Sequence, residues 1–302
     1  RREGCAPERV GRPLWQVSTE SVNNLSADVV VVPHRQRFQF GPLDCRTWFY
    51  MQTTCPWLFT LDPLGWGPAS AGYPCGDLDG AEGDAQVFER MAERVIGSNG
   101  SKLAQPASRS RAELVARGQI PEGPYVFFAC QRPNDQAIRF FSPHEPADVV
   151  GALARWSDAR GLPVVFKAHP SSPKRAAPLR AATRGLAVRW SEASVHDLIA
   201  HSAAVYVINS GVGFEALLHG KPVVTFGRAE YDAVTIHGDP DDLDAAWRRV
   251  EAWDPEARLS AYRRFVAWYC RERCVDLSEP AAAQARLSAL ARAIVGGDQA
   301  VG

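Results

Sequence analysis

Between residues 125 and 226 the chain repeats one pattern, a short apolar run followed by a segment with helical spacing. The runs are YVFFAC (125 to 130), PVVFKA (163 to 168), LAVRW (186 to 190), AVYVIN (204 to 209) and PVVTF (222 to 226). Each is too short for a helix and carries β-branched and aromatic residues, the mark of strands buried on both faces. The segments between them, ADVVGALARWSDARG, PLRAATRG, SVHDLIAHSA and GFEALLHG, have helical spacing; Ser or Gly opens the last two, and Gly closes the first and last. Strand alternating with helix implies right-handed crossovers, so an α/β fold with a parallel, doubly wound sheet is predicted.

The amino-terminal part is richer in Pro, Gly and Trp. It offers strands at DVVVVP (28 to 33) and WLFTLD (57 to 62) and a helix at DAQVFERMAERVIG, and reads as a second, less regular α/β unit. The polar stretch QPASRSRAELVARGQIPEGP is the candidate linker. Beyond the sheet, helices are predicted from Pro240 to Trp253, from Pro255 to about Cys274, and from a start at Ser278-Glu279-Pro280. The last of these can return to the first domain. The expected division is therefore residues 1–118, residues 119–277, and a terminal helix and tail over 278–302.

A length of 302 residues suits two modest domains. Lys+Arg and Asp+Glu each number 34, so the chain lacks the net positive charge of a nucleic-acid binder. Lysine occurs only at 102, 167, 174 and 221. The seven cysteines have no metal-type spacing, which fits a reduced, cytoplasmic compartment. No apolar run approaches the roughly 18 to 20 residues of a membrane span, and the start RREGCAPERVGRP lacks the apolar core of a signal peptide. That start also lacks Met, as expected of a piece of a longer protein. The sequons at Asn24 and Asn99 then carry no glycan.

Ligands of an open parallel sheet bind beyond the carboxyl ends of its strands. Three features fall there. Asn209-Ser210-Gly211 opens a helix, where unpaired N–H groups and the dipole favour an anion; Gly211 and Gly213 would let a phosphate approach the backbone. A capped helix packed tightly on a sheet explains the same letters equally well. Glu215, one turn on, is placed either to accept ribose hydroxyls or to be a solvated helix acid. His169 ends the strand before Pro170, and as a cation or an N–H donor it can neutralise a departing phosphate. Lys167 lies two residues earlier on the same side of that strand. A lone strand-end His is more often structural. Asp135, the only acid between Glu122 and Glu145, is a candidate nucleophile or base, with a loop Asp capping the next segment as the commoner alternative.

Taken together, ACQRPNDQ, FKAHP, SVHDLIAHSAAVYVINSGVGFEALLHGKPVVTFG and AEYDAV resemble the capsule-polysaccharide biosynthesis family, and within it the retaining β-Kdo glycosyltransferases. The likeness covers residues 125 to 235 well and YMQTTCPWLFTLDPLGWG more loosely. It implies a GT-B fold of two Rossmann-type domains facing a cleft, with an acceptor-side amino-terminal domain and a CMP-Kdo-binding carboxy-terminal one. No metal or other cofactor is implied, because a leaving group with one phosphate can be stabilised by a His and a helix amino terminus. On this mapping Asp135 is the nucleophile of a Gln-x-x-x-Asp pattern begun by Gln131, which is itself expected among the donor-nucleotide ligands. His169, Asn209, Ser210 and Gly211 hold the CMP phosphate, Glu215 contacts the nucleotide, and Lys167 meets the phosphate or the Kdo carboxylate by charge alone. Asp62, at the end of a first-domain strand, is the candidate acceptor base, although a turn Asp before Pro63 is commoner. Gln136 departs from the family in standing where a small hydroxyl residue is expected. The implied partners are a CMP-sugar donor, a lipid-linked or oligosaccharide acceptor and neighbouring transferase modules, in a bacterial cytoplasm or at the inner membrane, in capsule or lipopolysaccharide assembly.

Two rival readings use the same residues: an inverting CMP-sialic-acid transferase, and a non-catalytic transferase-like module. A third treats EARLSAYRRFVAWYCRERC as a membrane-surface helix, but its Arg and aromatic residues interleave instead of segregating, which favours a core-packing helix.

Overall fold

The computed structural model describes residues 17–75, 78, 85–132, 134–171 and 176–296. Lys174 lies outside them, as does the first residue of the helix predicted at DAQVFERMAERVIG. The chain forms two compact units, the first holding the described residues through Cys75 and again from Trp268, the second the described residues between.

The first unit begins with α1 (Thr19–Asn23), β1 (Val29–Pro33), β2 (Arg46–Gln52) and β3 (Leu58–Asp62). In the second unit follow α2 (Ala85–Ala92), α3 (Arg111–Ala116), β4 (Val126–Ala129), α4 (Gln136–Phe141), α5 (Pro146–Arg160), β5 (Val164–Lys167), α6 (Ala177–Ala182) and β6 (Arg189–Trp190). The second unit continues with α7 (Val195–His201), β7 (Ala204–Val207), α8 (Gly211–Leu218), β8 (Val223–Thr225), β9 (Ile236–His237), α9 (Leu243–Glu251) and α10 (Pro255–Trp268). The chain then returns to the first unit as β10 (Cys274–Asp276) and α11 (Pro280–Gly296).

The second unit is the predicted doubly wound sheet, in the order β6-β5-β4-β7-β8-β9, with every pair parallel. β4 sits in the middle, buried along its whole length, and Phe128 packs edge-on against Phe166 of β5. From β4 the chain crosses to β5 on one side, while β7 and β8 extend the other. The carboxyl ends of β4 and β7 therefore flank the point where the winding reverses, the place such sheets leave open for a ligand. α10 buries Tyr262, Phe265, Val266 and Ala267, the core-packing role expected of it.

Two expectations are corrected here. The polar stretch 105–124 is no linker, and the second unit takes in residues well before 119. α3 lies in that stretch, with Leu114 and Ile120 fully buried. Its polar side chains are spent on the opening of α7: Asp197 accepts from Ser108 Oγ (2.5 Å) and the Arg109 N–H (2.9 Å), and Gln105 Oε1 accepts from the Val195 N–H (3.0 Å).

The sheet of the first unit, order β1-β2-β3-β10, is mixed rather than parallel, so only the second unit is doubly wound. β1 and β2 run parallel, but the connection between β2 and β3 is too short for a crossover and forces an antiparallel pair. Cys274, expected in a helix, instead begins β10 after a π-helical turn at Tyr269–Arg273, and pairs antiparallel with Thr60. The last helix does return to this unit: Ala283 and Leu290 of α11 pack with Trp48 and Val275.

At the end of β3, Asp62 organises the loop that follows. Its Oδ1 accepts from the N–H groups of Leu64 (2.8 Å) and Gly65 (3.0 Å), and its Oδ2 accepts from the Ala71 N–H (3.0 Å) and from Arg273 Nη2 (2.6 Å). Both side chains of this ion pair are nearly fully buried, so removing one partner strands a charge. Arg273→Met should lower the unfolding free energy by about 3–5 kcal/mol in denaturant titrations. A loss below about 1 kcal/mol, the scale of a surface ion pair, would show that the pair does not tie the returning segment to β3.

Candidate functional site

The site is built where β4, β5 and β7 end. Gln131 follows β4 and Asn209 follows β7, and the two side chains interlock. Gln131 Nε2 donates to Asn209 Oδ1 (3.0 Å), and the Asn209 backbone N–H donates to Gln131 Oε1 (3.1 Å). Asn209 Nδ2 then donates to the carbonyl of Ala137 in α4 (2.8 Å). Sequence reasoning placed both residues among the nucleotide ligands. The structure uses them instead as buried braces that hold one turn against the other.

Asp135 caps α4, its Oδ1 accepting from the Ala137 N–H (3.0 Å). The commoner reading of this residue is thus correct for one oxygen. Oδ2 has no hydrogen-bond partner among the described residues and stays available for chemistry.

His169 follows β5. Its Nδ1 accepts from the Ser171 N–H (3.3 Å) and lies 2.9 Å from Ser171 Oγ, which puts the ring proton on Nε2. Nε2–H has no partner among the described residues. Burial and the charge of Arg132 lower the histidine pKa, and the opposing charge of Asp135 raises it less. His169 is therefore a neutral N–H donor near pH 7, not the cation also considered from sequence. β4 and β5 pair in parallel, so the loops that carry Asp135 and His169 leave neighbouring strands at the same edge of the sheet.

Ser210 caps α8, its Oγ accepting from the Val212 N–H (3.3 Å). Gly211 is the first residue of that helix. The Tyr231 hydroxyl donates to the Ser210 carbonyl, and the Tyr231 ring fills the space over Gly213. A Cβ at 213 would lie 2.3 Å from the Tyr231 oxygen. Gly213 is accordingly explained by a tyrosine and not by an approaching phosphate.

Three further candidates are corrected. The Lys167 ammonium is buried and donates to the Ala193 carbonyl (2.6 Å), while burial lowers its pKa; it is spent beneath the β6–α7 connection. Glu215 is only 1% exposed, too closed for a ribose ligand. Its Oε1 accepts from Ser101 Oγ (2.6 Å), its Oε2 has no hydrogen-bond partner among the described residues, and burial raises the carboxyl pKa to about 7. Asp62, in the other unit, has both oxygens occupied by three N–H groups and Arg273, which leaves it no role as a free base.

The segment that covers Glu215 is pinned by two more contacts. Ser194 Oγ donates to Asn99 Oδ1 (2.5 Å), and His196 Nε2–H donates to the Gly100 carbonyl (2.7 Å). With its proton on Nε2, His196 accepts at Nδ1 from His219 Nε2–H (3.1 Å), and burial pushes the His219 pKa down to about 3. Sequence reasoning missed Tyr231, Arg132 and Ser101. Their only signal was indirect, a helix glycine needing a filler and a charged residue inside the Gln-x-x-x-Asp loop. Among the described residues no three His, Cys, Asp or Glu side chains gather as a metal site.

These features define a doubly wound α/β unit with a carboxylate, an imidazole and a helix amino terminus beyond the carboxyl ends of three neighbouring strands, β4, β5 and β7. The family model described as "Capsule polysaccharide biosynthesis protein" matches residues 92–268, well over half of the chain, and the chain belongs to that family. Among solved structures it is similar to Thermosulfurimonas dismutans KpsC, beta Kdo 2,7 transferase, at 20% identity and TM-score 0.49, over 76% of this chain and 78% of that one. The structure of T. dismutans KpsC, beta Kdo 2,4 transferase, is similar at 18% identity and TM-score 0.49, over 77% and 73%. Methanocaldococcus jannaschii UDP-GlcNAc 2-epimerase in complex with UDP-GlcNAc and UDP follows at 10% identity and TM-score 0.40, over 60% and 52%. A comparison with curated proteins returned no match. No described helix is long and apolar enough to cross a membrane.

Glu215 makes stability depend on pH in a defined direction. Its pKa is raised above the unfolded value of 4.5 to about 7, so the folded state holds the proton more tightly; the stability this gives is present below about pH 4.5 and is lost as pH rises from there to about 7. Glu215→Gln escapes that loss and keeps an acceptor for Ser101. In unfolding titrations the variant should gain on the wild type between about pH 4.5 and about pH 7, by about 3 kcal/mol in all, with no further gain above that window. A gap that stays constant with pH would mean the carboxyl is not held neutral.

Proposed function

We propose that the chain is a retaining glycosyltransferase that moves Kdo from CMP-β-Kdo to a glycan acceptor in capsule or O-antigen assembly. The observation that carries this reading is that Asp135, His169 and the amino terminus of α8 follow the carboxyl ends of three neighbouring strands, β4, β5 and β7, with Asp135 Oδ2 and His169 Nε2–H unpartnered among the described residues. Membership of the capsule-polysaccharide family supports the biological setting. The donor follows from the sequence resemblance, as does the two-domain GT-B arrangement.

In the proposed first step Asp135 Oδ2 attacks the anomeric carbon while the bond to the CMP phosphate breaks, its electron pair leaving on the phosphate oxygen. The developing charge falls where His169 Nε2–H and the start of α8 can donate to it. A neutral imidazole suits this work, because it donates a hydrogen bond without first having to acquire a proton. An acceptor hydroxyl then displaces Asp135 from the opposite side, and two inversions give net retention. The acceptor's proton goes to a base other than Asp62, whose oxygens are committed.

CMP release should be seen with CMP-Kdo and not with CMP-sialic acid or UDP-sugars. Intact mass should show a Kdo adduct on the wild type and none on Asp135→Asn. His169→Ala should lower turnover by about 10²–10³, the usual effect of losing one donor to a developing oxyanion, with the far-UV spectrum unchanged. Release from CMP-sialic acid with inverted product would replace this reading with the sialyltransferase one. No release with any acceptor would leave a non-catalytic module.

A further inference from the structure

A second recess, about 580 Å³ in volume, opens at the carboxyl edge of the same sheet, beyond β8 and β9 and beside the end of α4. This is the size of a small-molecule site. Phe140, Phe141 and Phe226 give it aromatic faces, Arg228, His144 and His237 give it polar groups, and no carboxylate lines it among the described residues. Its wall is built onto the braces of the candidate site. The Arg228 N–H donates to the Phe141 carbonyl (2.8 Å), and Gly227 approaches so closely that a Cβ there would lie 3.0 Å from that carbonyl and 3.3 Å from Asn209 Nδ2.

Arg228 is the unusual member. Its guanidinium lies over the Phe141 ring, 5.7 Å from the centroid, and makes no hydrogen bond or ion pair among the described residues. Arg228 is exposed; stacking orients its planar fork, and its N–H donors meet no acceptor among the described residues. Lys167 and Glu215 differ in this respect, since Lys167 donates to a carbonyl and Glu215 accepts from a hydroxyl. An oriented, unspent guanidinium beside aromatic faces matches a sugar ring that carries a carboxylate. The rings pack its C–H face and the fork takes both carboxylate oxygens. Asp135 caps the opposite end of the six-residue helix α4, so the recess stands about 9 Å from it along that helix.

We propose that this recess binds the carboxylate of an acidic sugar, held by Arg228, next to the transfer centre. The carboxylate has two potential sources, the transferred sugar of the donor or an acidic residue of the acceptor glycan. The inference of carboxylate binding stands on the recess alone, whereas its place beside a transfer centre rests on the function proposed above.

Saturation-transfer NMR of the whole chain with glucuronate, glucose and CMP tests it. Glucuronate should bind and glucose should not. Arg228→Gln should weaken glucuronate by about tenfold or more, the scale of a lost charge-assisted contact, and leave CMP unchanged; Arg228→Lys should fall between. In turnover assays a rise in KM for CMP-Kdo in Arg228→Gln would assign the recess to the donor's sugar, and a rise only for acidic acceptors would assign it to the acceptor. Undetectable glucuronate binding, equal binding of glucose, or equal binding of glucuronate by wild type and Arg228→Gln would each overturn the proposal. Glucuronate binding by a chain that binds no CMP would keep the recess and refute the transferase reading, so the two failures are distinct.

Discussion

The interlock of Gln131 with Asn209 is the contact on which the rest of the site depends. Two neutral amides, both buried, exchange hydrogen bonds across the gap between β4 and β7, and the second amide reaches on to α4. An unmet partner in such a place costs about 1–3 kcal/mol, so the arrangement is effectively all or none. Ala137 receives both ends of the arrangement: its N–H goes to Asp135 and its carbonyl to Asn209. The position of the Asp135 carboxylate and that of the Ser210 turn are thus set by one shared residue. The aromatic recess borrows the same brace, because Gly227 lies against Asn209 Nδ2.

What separates binding groups from structural ones here is whether their hydrogen-bonding capacity is already used. Gln131, Asn209, Lys167 and Asp62 are polar residues at or just beyond strand ends, which is where ligands bind, and every one of them is satisfied by the protein. Asp135 Oδ2, His169 Nε2–H and the Arg228 guanidinium are not, among the described residues. Position in an α/β sheet nominates candidates; unmet capacity selects among them. Glu215 shows why both conditions are needed. Its Oε2 is unmet among the described residues, but burial closes it to solvent and raises its pKa, which makes it a stability feature of the segment over α8.

The parallel sheet was legible because its strands are buried on both faces, so each appears as an unbroken apolar run between helical segments. Where burial is one-sided the signal failed. β2, RTWFYMQ, alternates imperfectly and was not recognised as a strand, and β10 is three residues hidden behind a helical pattern. The site residues went wrong for a different reason. Asp62 is answered by Arg273, Glu215 by Ser101 and Gly213 by Tyr231, partners far away in sequence whose arrival local patterns do not announce. The capping roles of Asp135 and Ser210 were readable because their partners are local, the first N–H groups of α4 and α8.

The start of α8 shows how this structure would limit the reorganisation needed to receive an anion. In a free helix terminus several N–H groups are unmet and mobile. Here the Val212 N–H is met by Ser210 Oγ and the Gly213 N–H by the Ser210 carbonyl, which Tyr231 also holds. The Gly211 N–H has no partner among the described residues, and neither does His169 Nε2–H. Fixing the other donors removes alternative poses. An anion at this terminus would then meet donors already oriented by the Gln131–Asn209 brace and the tyrosine over Gly213. Electrostatic stabilisation is greatest when dipoles do not have to turn as charge develops. On this argument the glycine at 213 contributes rigidity, because it admits the ring that keeps the Ser210 turn from moving.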